Sequence, residues 1–222
     1  METIVFLHGW GVGPENFQPL INFLSNKYHV VAPNLSNLTD NKDFSWKKFA
    51  NNLNEFINNK KVYLIGVSLG GGLALAYAAF YPKNVKAVIA CEPAGIKIKK
   101  NKIAGAFLII KMVIRGLFYR EGIRFIPRIC FSFLKESIFH SRKVYGQAKL
   151  VLEKDLDKSV VKIKAPVYLL WSKNSGELPL WMGEKLHQKI ANSRLDPSFS
   201  DKNHLWCLLE QEKIAKKVLE IF

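Results

Sequence analysis

The stretch Val62-Tyr63-Leu64-Ile65-Gly66-Val67-Ser68-Leu69-Gly70-Gly71-Gly72-Leu73-Ala74 decides how this chain folds. Its first four residues form a short apolar run of the kind that makes a buried strand. From Leu69 onward the residues are small and apolar, as a buried helix requires. Between the two stands Gly66-Val67-Ser68-Leu69-Gly70, a Gly-x-Ser-x-Gly elbow. A chain that passes from strand to helix this abruptly holds the serine in a strained turn, and the flanking glycines supply the room. Ser68 is therefore the candidate nucleophile, its Oγ raised above the sheet edge. The amide of Leu69, at the positive end of the following helix, can face an oxyanion forming beside it. The bland alternative is a closely packed glycine turn with no chemistry; the strand before it and the helix after it favour the chemical reading.

On either side of this elbow, short apolar runs alternate with helical patterns. Strands are predicted at Thr3-Leu7, His29-Ala32, Val62-Ile65, Val85-Ala90 and Val167-Trp171, with a weaker one at Arg194-Phe199. Helices are predicted at Glu15-Ser25, Ser45-Asn58, Leu69-Tyr81, Pro179-Ala191 and Leu205-Ile221. Strand-helix-strand alternation needs crossover connections, so the fold class is α/β, a mostly parallel, doubly wound sheet. From about Gly95 to Lys164 the strand signals vanish into a helical, aromatic and basic stretch, which reads as a helical cap inserted into the sheet order. The domain division is then 1–94 and 165–222 for the core and 95–164 for the cap.

The 222 residues, 49% of them hydrophobic, suffice for one sizeable core without staples. Cys91, Cys130 and Cys207 are scattered and odd in number, which suggests neither a disulfide framework nor a zinc site and fits a reducing cytoplasm. Met1-Glu2-Thr3 runs directly into apolar sequence, with no signal-peptide pattern. The apolar stretch Ile103-Tyr119 carries Lys111 and Arg115 and is too short and too charged to read as a membrane span. The formal charge is +15, and its excess is local: thirteen Lys/Arg lie between Lys97 and Leu150, against only Glu121 and Glu136. Such a segment is either a lysine-solvated surface or a basic face that draws an anionic substrate, an acidic carrier protein or a lipid headgroup. No nucleic-acid reader motif accompanies the charge.

Two further loops carry chemistry. His8-Gly9-Trp10-Gly11 directly follows the first strand and can turn a backbone N–H, that of Trp10, toward the same oxyanion as Leu69. His8 itself reads as a loop organiser. His204, in Asp201-Lys202-Asn203-His204-Leu205-Trp206, is the one histidine both late in the chain and on a predicted loop, and is the candidate general base.

With the first-strand His-Gly motif, the GVSLGG elbow, the inserted cap and the C-terminal Asn-His-Leu in this order, the chain resembles the α/β-hydrolase superfamily over nearly its whole length. The resemblance implies a serine hydrolase that cleaves a carboxylic ester or thioester through an acyl-enzyme, without metal or organic cofactor, and a member that begins at the family's third strand. It also implies an acid after the strand Val167-Trp171, where relatives carry Gly-x-x-Asp-x-x-x-Pro. Here the stretch is Ser172-Lys173-Asn174-Ser175-Gly176-Glu177-Leu178-Pro179, with Ser175 at the usual Asp position. Three readings stay open: Glu92, at a strand end where a haloalkane-dehalogenase subgroup places its acid; Glu177; or no carboxylate. The small, capped carboxylesterases of the biotin pathway look similar in plan, their basic caps meeting an acidic acyl carrier protein. Cap aromatics Phe107, Phe118, Tyr119, Phe125, Phe131, Phe133 and Phe139 are expected either to line an acyl pocket or to pack the cap onto the sheet. Two other functional readings compete: a catalytically degenerate binding protein, favoured by Ser175, and a peripheral membrane lipase or lysophospholipase lying on an anionic bilayer through Ile103-Arg128.

Overall fold

A computed structural model describes residues 1–97, 122–156 and 158–222, with the backbone alone at 122–124. Six parallel strands form one sheet: β1 (Thr3–Leu7), β2 (His29–Val31), β3 (Val62–Val67), β4 (Val85–Cys91), β5 (Val167–Ser172) and β6 (Ser193–Ser200), in the order β2-β1-β3-β4-β5-β6. Every predicted strand is present within two residues of its expected ends. β1, β3, β4 and β5 are apolar on both faces, as strands covered on both sides must be. The weaker prediction became β6, whose mixed burial reflects its place at the sheet edge.

The helices are α1 (Gln18–Ser25), α2 (Leu35–Leu38), α3 (Trp46–Phe56), α4 (Leu69–Phe80), α5 (Gly122–Phe139), α6 (Ser141–Glu153), α7 (Leu180–Lys189), α8 (Trp206–Leu209) and α9 (Gln211–Ile221). They cover the sheet on both faces. One core gathers α3, α4 and α7 against Val5, Leu64, Val88 and Leu169; the other gathers α1 and α9 against Ile4, Ile65, Ile89 and Leu170. α4 is apolar all round and buried along Leu69–Ala79, because it packs between the sheet and α3. Where one terminal helix was predicted, α8 and α9 meet at Glu210, whose φ of −111° and ψ of 39° are not helical.

α5 and α6 belong to the helical insertion between β4 and β5. α5 departs from the usual amphipathic order on both of its sides. Its Ser132 and Glu136 are buried against the core, while Phe131, Leu134, Ile138 and Phe139 are exposed. Ser132 accepts from Asn16 Nδ2 at 2.9 Å and donates to Glu15 at 3.1 Å. Glu136 accepts from Asn34 Nδ2 at 2.8 Å and from Ser36 Oγ at 2.6 Å. Burial by itself would raise the Glu136 carboxyl, but the Ser36 and Asn34 hydrogen bonds outweigh it and hold it below the ordinary value. Of the expected aromatics, Phe131 and Phe139 are exposed, while Phe107, Phe118 and Tyr119 lie outside the described residues.

Candidate active site

The elbow has the strain its sequence requires. Ser68 has φ 53° and ψ −114°, a left-handed conformation that a side-chain-bearing residue holds only when its surroundings fix it. The turn is held by Ser68 N–H donating to the Cys91 carbonyl at 2.9 Å and by the Ser68 carbonyl accepting from Gly72 and Ala94. The glycines are sterically obligatory. A Cβ on Gly66 would stand 2.3 Å from the Gly70 carbonyl oxygen, and one on Gly70 would stand 2.0 Å from that of Leu7. α4 thus starts at Leu69 with its positive end beside Ser68.

The His8–Gly11 loop, at the end of β1, lies against this turn, since a Cβ on Gly9 would be only 3.7 Å from Ser68 Cβ. His8 organises the loop. Its Nδ1 pairs with the Gly9 carbonyl at 2.8 Å, and its Nε2 accepts from Leu35 N–H at 2.9 Å, an arrangement that needs the neutral ring protonated on Nδ1. Burial pushes its pKa below the ordinary value. The cap closes on the same loop. Trp10 Nε1 donates to the Val144 carbonyl at 2.9 Å, and the Trp10 ring meets Phe133 edge to face with centroids 5.3 Å apart. The expected oxyanion donors, the amides of Trp10 and Leu69, therefore sit on two segments packed around Ser68.

Glu92 follows β4, one strand from the elbow, with φ 41° and no exposed surface. A buried carboxylate with no partners would cost several kcal/mol, and this one is surrounded by donors. Oε1 accepts from Ser172 N–H at 2.8 Å and from Trp206 Nε1 at 2.9 Å. Oε2 accepts from Ser175 Oγ at 2.9 Å and makes a short contact with His204 Nδ1. The structure thus brings Glu92 and His204 together. Glu177 is not among the hydrogen-bond partners of His204 within the described residues; it acts on the ring only through its charge.

His204 is mostly buried. Burial by itself would lower its pKa, but the hydrogen bond and charge of Glu92, with a smaller contribution from Glu177, outweigh it and hold the imidazole above its ordinary value. Neighbouring turns fix its loop. Ser172 Oγ bonds the Lys202 carbonyl, Asn203 Oδ1 accepts from Leu205 N–H at 3.2 Å, and Trp206 N–H donates to the Asn203 carbonyl at 2.9 Å. Sequence reasoning missed the donor roles of Ser172, Ser175 and Trp206. The available signal was Trp206 two residues beyond His204, and a hydroxyl at the position where relatives carry an acid.

Among the described residues no group of His, Cys, Asp and Glu is placed to hold a metal ion, and no helix is long and apolar enough to cross a membrane. Cys91, Cys130 and Cys207 are unpaired thiols. A cavity lined by Thr3, Val5, His29, Val31 and Val62 opens at the amino ends of β1 to β3, away from Ser68, which follows the carboxyl end of β3.

A six-stranded parallel sheet with a glycine elbow after β3 and a buried carboxylate–histidine pair on the loops after β4 and β6 defines the hydrolase class of α/β proteins. Residues 2–119 match the alpha/beta hydrolase fold family, and the chain belongs to it. Monoacylglycerol lipase ABHD6 of Homo sapiens is 22% identical, over 98% of this chain and 74% of its own length. Pimeloyl-[acyl-carrier protein] methyl ester esterase of Legionella pneumophila is 31% identical over 39% of this chain and 36% of its own. In three dimensions the chain is similar to a lipase-esterase related protein of Clostridium acetobutylicum, with a TM-score of 0.80 at 18% identity over 100% of this chain and 94% of that one.

Proposed function

We propose that the chain is a serine hydrolase that cleaves a carboxylic ester or thioester through an acyl-enzyme, with Ser68 as nucleophile, His204 as general base and Glu92 as the acid that orients it. The observation that carries this reading is the contact between Glu92 Oε2 and His204 Nδ1. A carboxylate on Nδ1 fixes the tautomer that leaves Nε2 as the basic nitrogen and stabilises the imidazolium formed when the ring takes a proton. Ser68 Oγ attacks the carbonyl carbon and its proton passes to His204; the amides of Leu69 and Trp10 hold the tetrahedral oxyanion. As the C–O or C–S bond breaks, His204 returns that proton to the leaving group, and water then releases the acid by the same route. No metal or organic cofactor has a part in these steps.

The naming of the sequence relatives as a lipase and as esterases supports ester chemistry for this chain. Residues 95–164 act in this reading as a cap over a core of 1–94 and 165–222, and its cationic residues recruit an anionic substrate or carrier. Labelling with a fluorophosphonate tests the core claim. Rapid labelling of the wild type that is lost in Ser68→Ala, together with turnover of p-nitrophenyl esters, is the expected result. A well-folded wild type that neither labels nor turns over esters would make the chain a binding protein on a hydrolase scaffold.

A further inference from the structure

α5 buries two polar side chains among apolar ones and leaves large apolar side chains in water. Successive helical residues are about 100° apart, so Ile126, Ile129, Ser132, Phe133 and Glu136 share one side, Phe131, Leu134 and Ile138 share the other, and Phe139 is the last residue of the helix. The inner side carries the polar groups bonded to Asn16, Glu15, Asn34 and Ser36. The outer side leaves Phe131 69%, Leu134 57% and Ile138 65% exposed, and Phe139 is 72% exposed. Tyr145 of α6, also exposed, is close by in sequence. Isolated apolar residues on a surface need no explanation, but three large ones on one helix face, with a fourth at the exposed end of the same helix, form a patch that solvent disfavours.

The exposed charge that α5 and the start of α6 themselves carry is of one sign. Arg128 and Lys135 project from the same outer side, and Arg142 is exposed at the start of α6. The sole acid between Arg128 and Lys149 is Glu136, which faces inward and is consumed by Asn34 and Ser36. A second copy of the chain would bring cations against cations. An acidic carrier protein would pair with the cations and leave the phenylalanines wet. An anionic bilayer satisfies both, since headgroups take the arginines and lysine while Phe, Leu and Ile enter the acyl boundary.

We infer that the outer face of α5 docks on an anionic lipid surface, setting the cap against the membrane and the Ser68 site where it can receive a lipid ester. This docking rests on the hydrolase reading for its purpose only; its geometry is that of α5.

Co-sedimentation of the full chain with vesicles of mixed phosphatidylglycerol and phosphatidylcholine, or of phosphatidylcholine alone, tests it. The expected result is binding to the anionic vesicles that weakens at high ionic strength. Changing Phe131, Leu134, Ile138 and Phe139 together to serine should lower partition by about tenfold or more, the scale set by a single buried apolar side chain. Because these side chains are exposed, the variant should keep wild-type turnover of a soluble p-nitrophenyl ester, which also reports that it is folded. A wild type that stays in the supernatant at low ionic strength would overturn the proposal, as would a serine variant that sediments like the wild type. Capture of an acidic acyl carrier protein without vesicle binding would likewise overturn it, in favour of the carrier. Fluorophosphonate labelling of the same samples separates the two claims: failed labelling with vesicle binding intact removes the hydrolase reading and leaves the docking face, and labelling without vesicle binding does the reverse.

Discussion

The carboxyl ends of β4 and β5 face the same imidazole and are filled in opposite ways. β4 runs into Glu92, which turns into the left-handed region and presents its carboxylate to His204. β5 runs on to Ser175, at the position where relatives of this fold carry the acid, and its hydroxyl donates to that same glutamate oxygen. One strand end supplies the charge and the other supplies a donor that holds it. A histidine needs a negative charge on Nδ1 in the right direction, and neighbouring parallel strands that end at the same level can each deliver it. The serine at the β5 end is therefore compatible with the proposed role of Glu92 as the orienting acid.

Moving the charge off the β4 end should have the largest effect. Glu92→Gln keeps the shape but leaves the imidazole free to take the wrong tautomer, and ester turnover is expected to fall about 10⁴-fold, roughly 5.5 kcal/mol of transition-state stabilisation. A p-nitrophenyl ester assay on protein shown to unfold cooperatively checks this; a loss below tenfold would take the acid away from Glu92. Restoring the charge at the β5 end sharpens the comparison. Ser175→Asp in the Glu92→Gln background should regain about 100-fold of that loss, whereas no gain would mean that only the β4 end has the right direction.

Ser175→Ala, which removes one of the four donors around Glu92, should cost about tenfold in turnover, as expected for one hydrogen bond to a charged group worth about 1.5 kcal/mol. Ser175→Thr, which keeps the hydroxyl, should recover it. Glu177→Gln should change turnover by no more than about twofold, because Glu177 reaches His204 through charge alone.

The pH profile separates these variants further. The base must be neutral, so activity should rise with pH along a limb above the ordinary imidazole value, because Glu92 holds the His204 pKa up. In Glu92→Gln the residual activity should show that limb displaced to lower pH, and in Glu177→Gln displaced slightly the same way. Stability carries the matching sign. A raised folded-state pKa contributes fully below the unfolded imidazole pKa, and the contribution fades as pH climbs through the folded value, so the gap between thermal melts of wild type and Glu92→Gln should narrow toward alkaline pH, leaving the part due to the Ser172, Ser175 and Trp206 hydrogen bonds.

Much of this was legible in the chain. Strand runs such as Val62-Ile65 and Val85-Ala90 declare themselves because a sheet covered on both faces needs unbroken apolar residues. Ser68 was legible because the elbow's glycines have no substitute: the Gly66 and Gly70 positions have no room for a Cβ. His204 was legible from its place on a late loop. The helical insertion was legible as an interruption of the strand pattern, but the buried polar groups of α5 were not. Its Ser132 and Glu136 look like solvated positions until Asn16, Asn34 and Ser36 are brought against them from more than 95 residues away.

The sequence by itself determined the parallel sheet and the strained turn at Ser68, because each depends on local sterics or on periodicity within one element. Which of the carboxylates Glu92 and Glu177 meets His204 is visible only in the tertiary structure. The hydrogen bond that His204 Nδ1 donates to Glu92 spans 112 positions of chain and depends on where β4, β5 and β6 end relative to one another. Spacing along the chain carries no information about that convergence; the register of the sheet does.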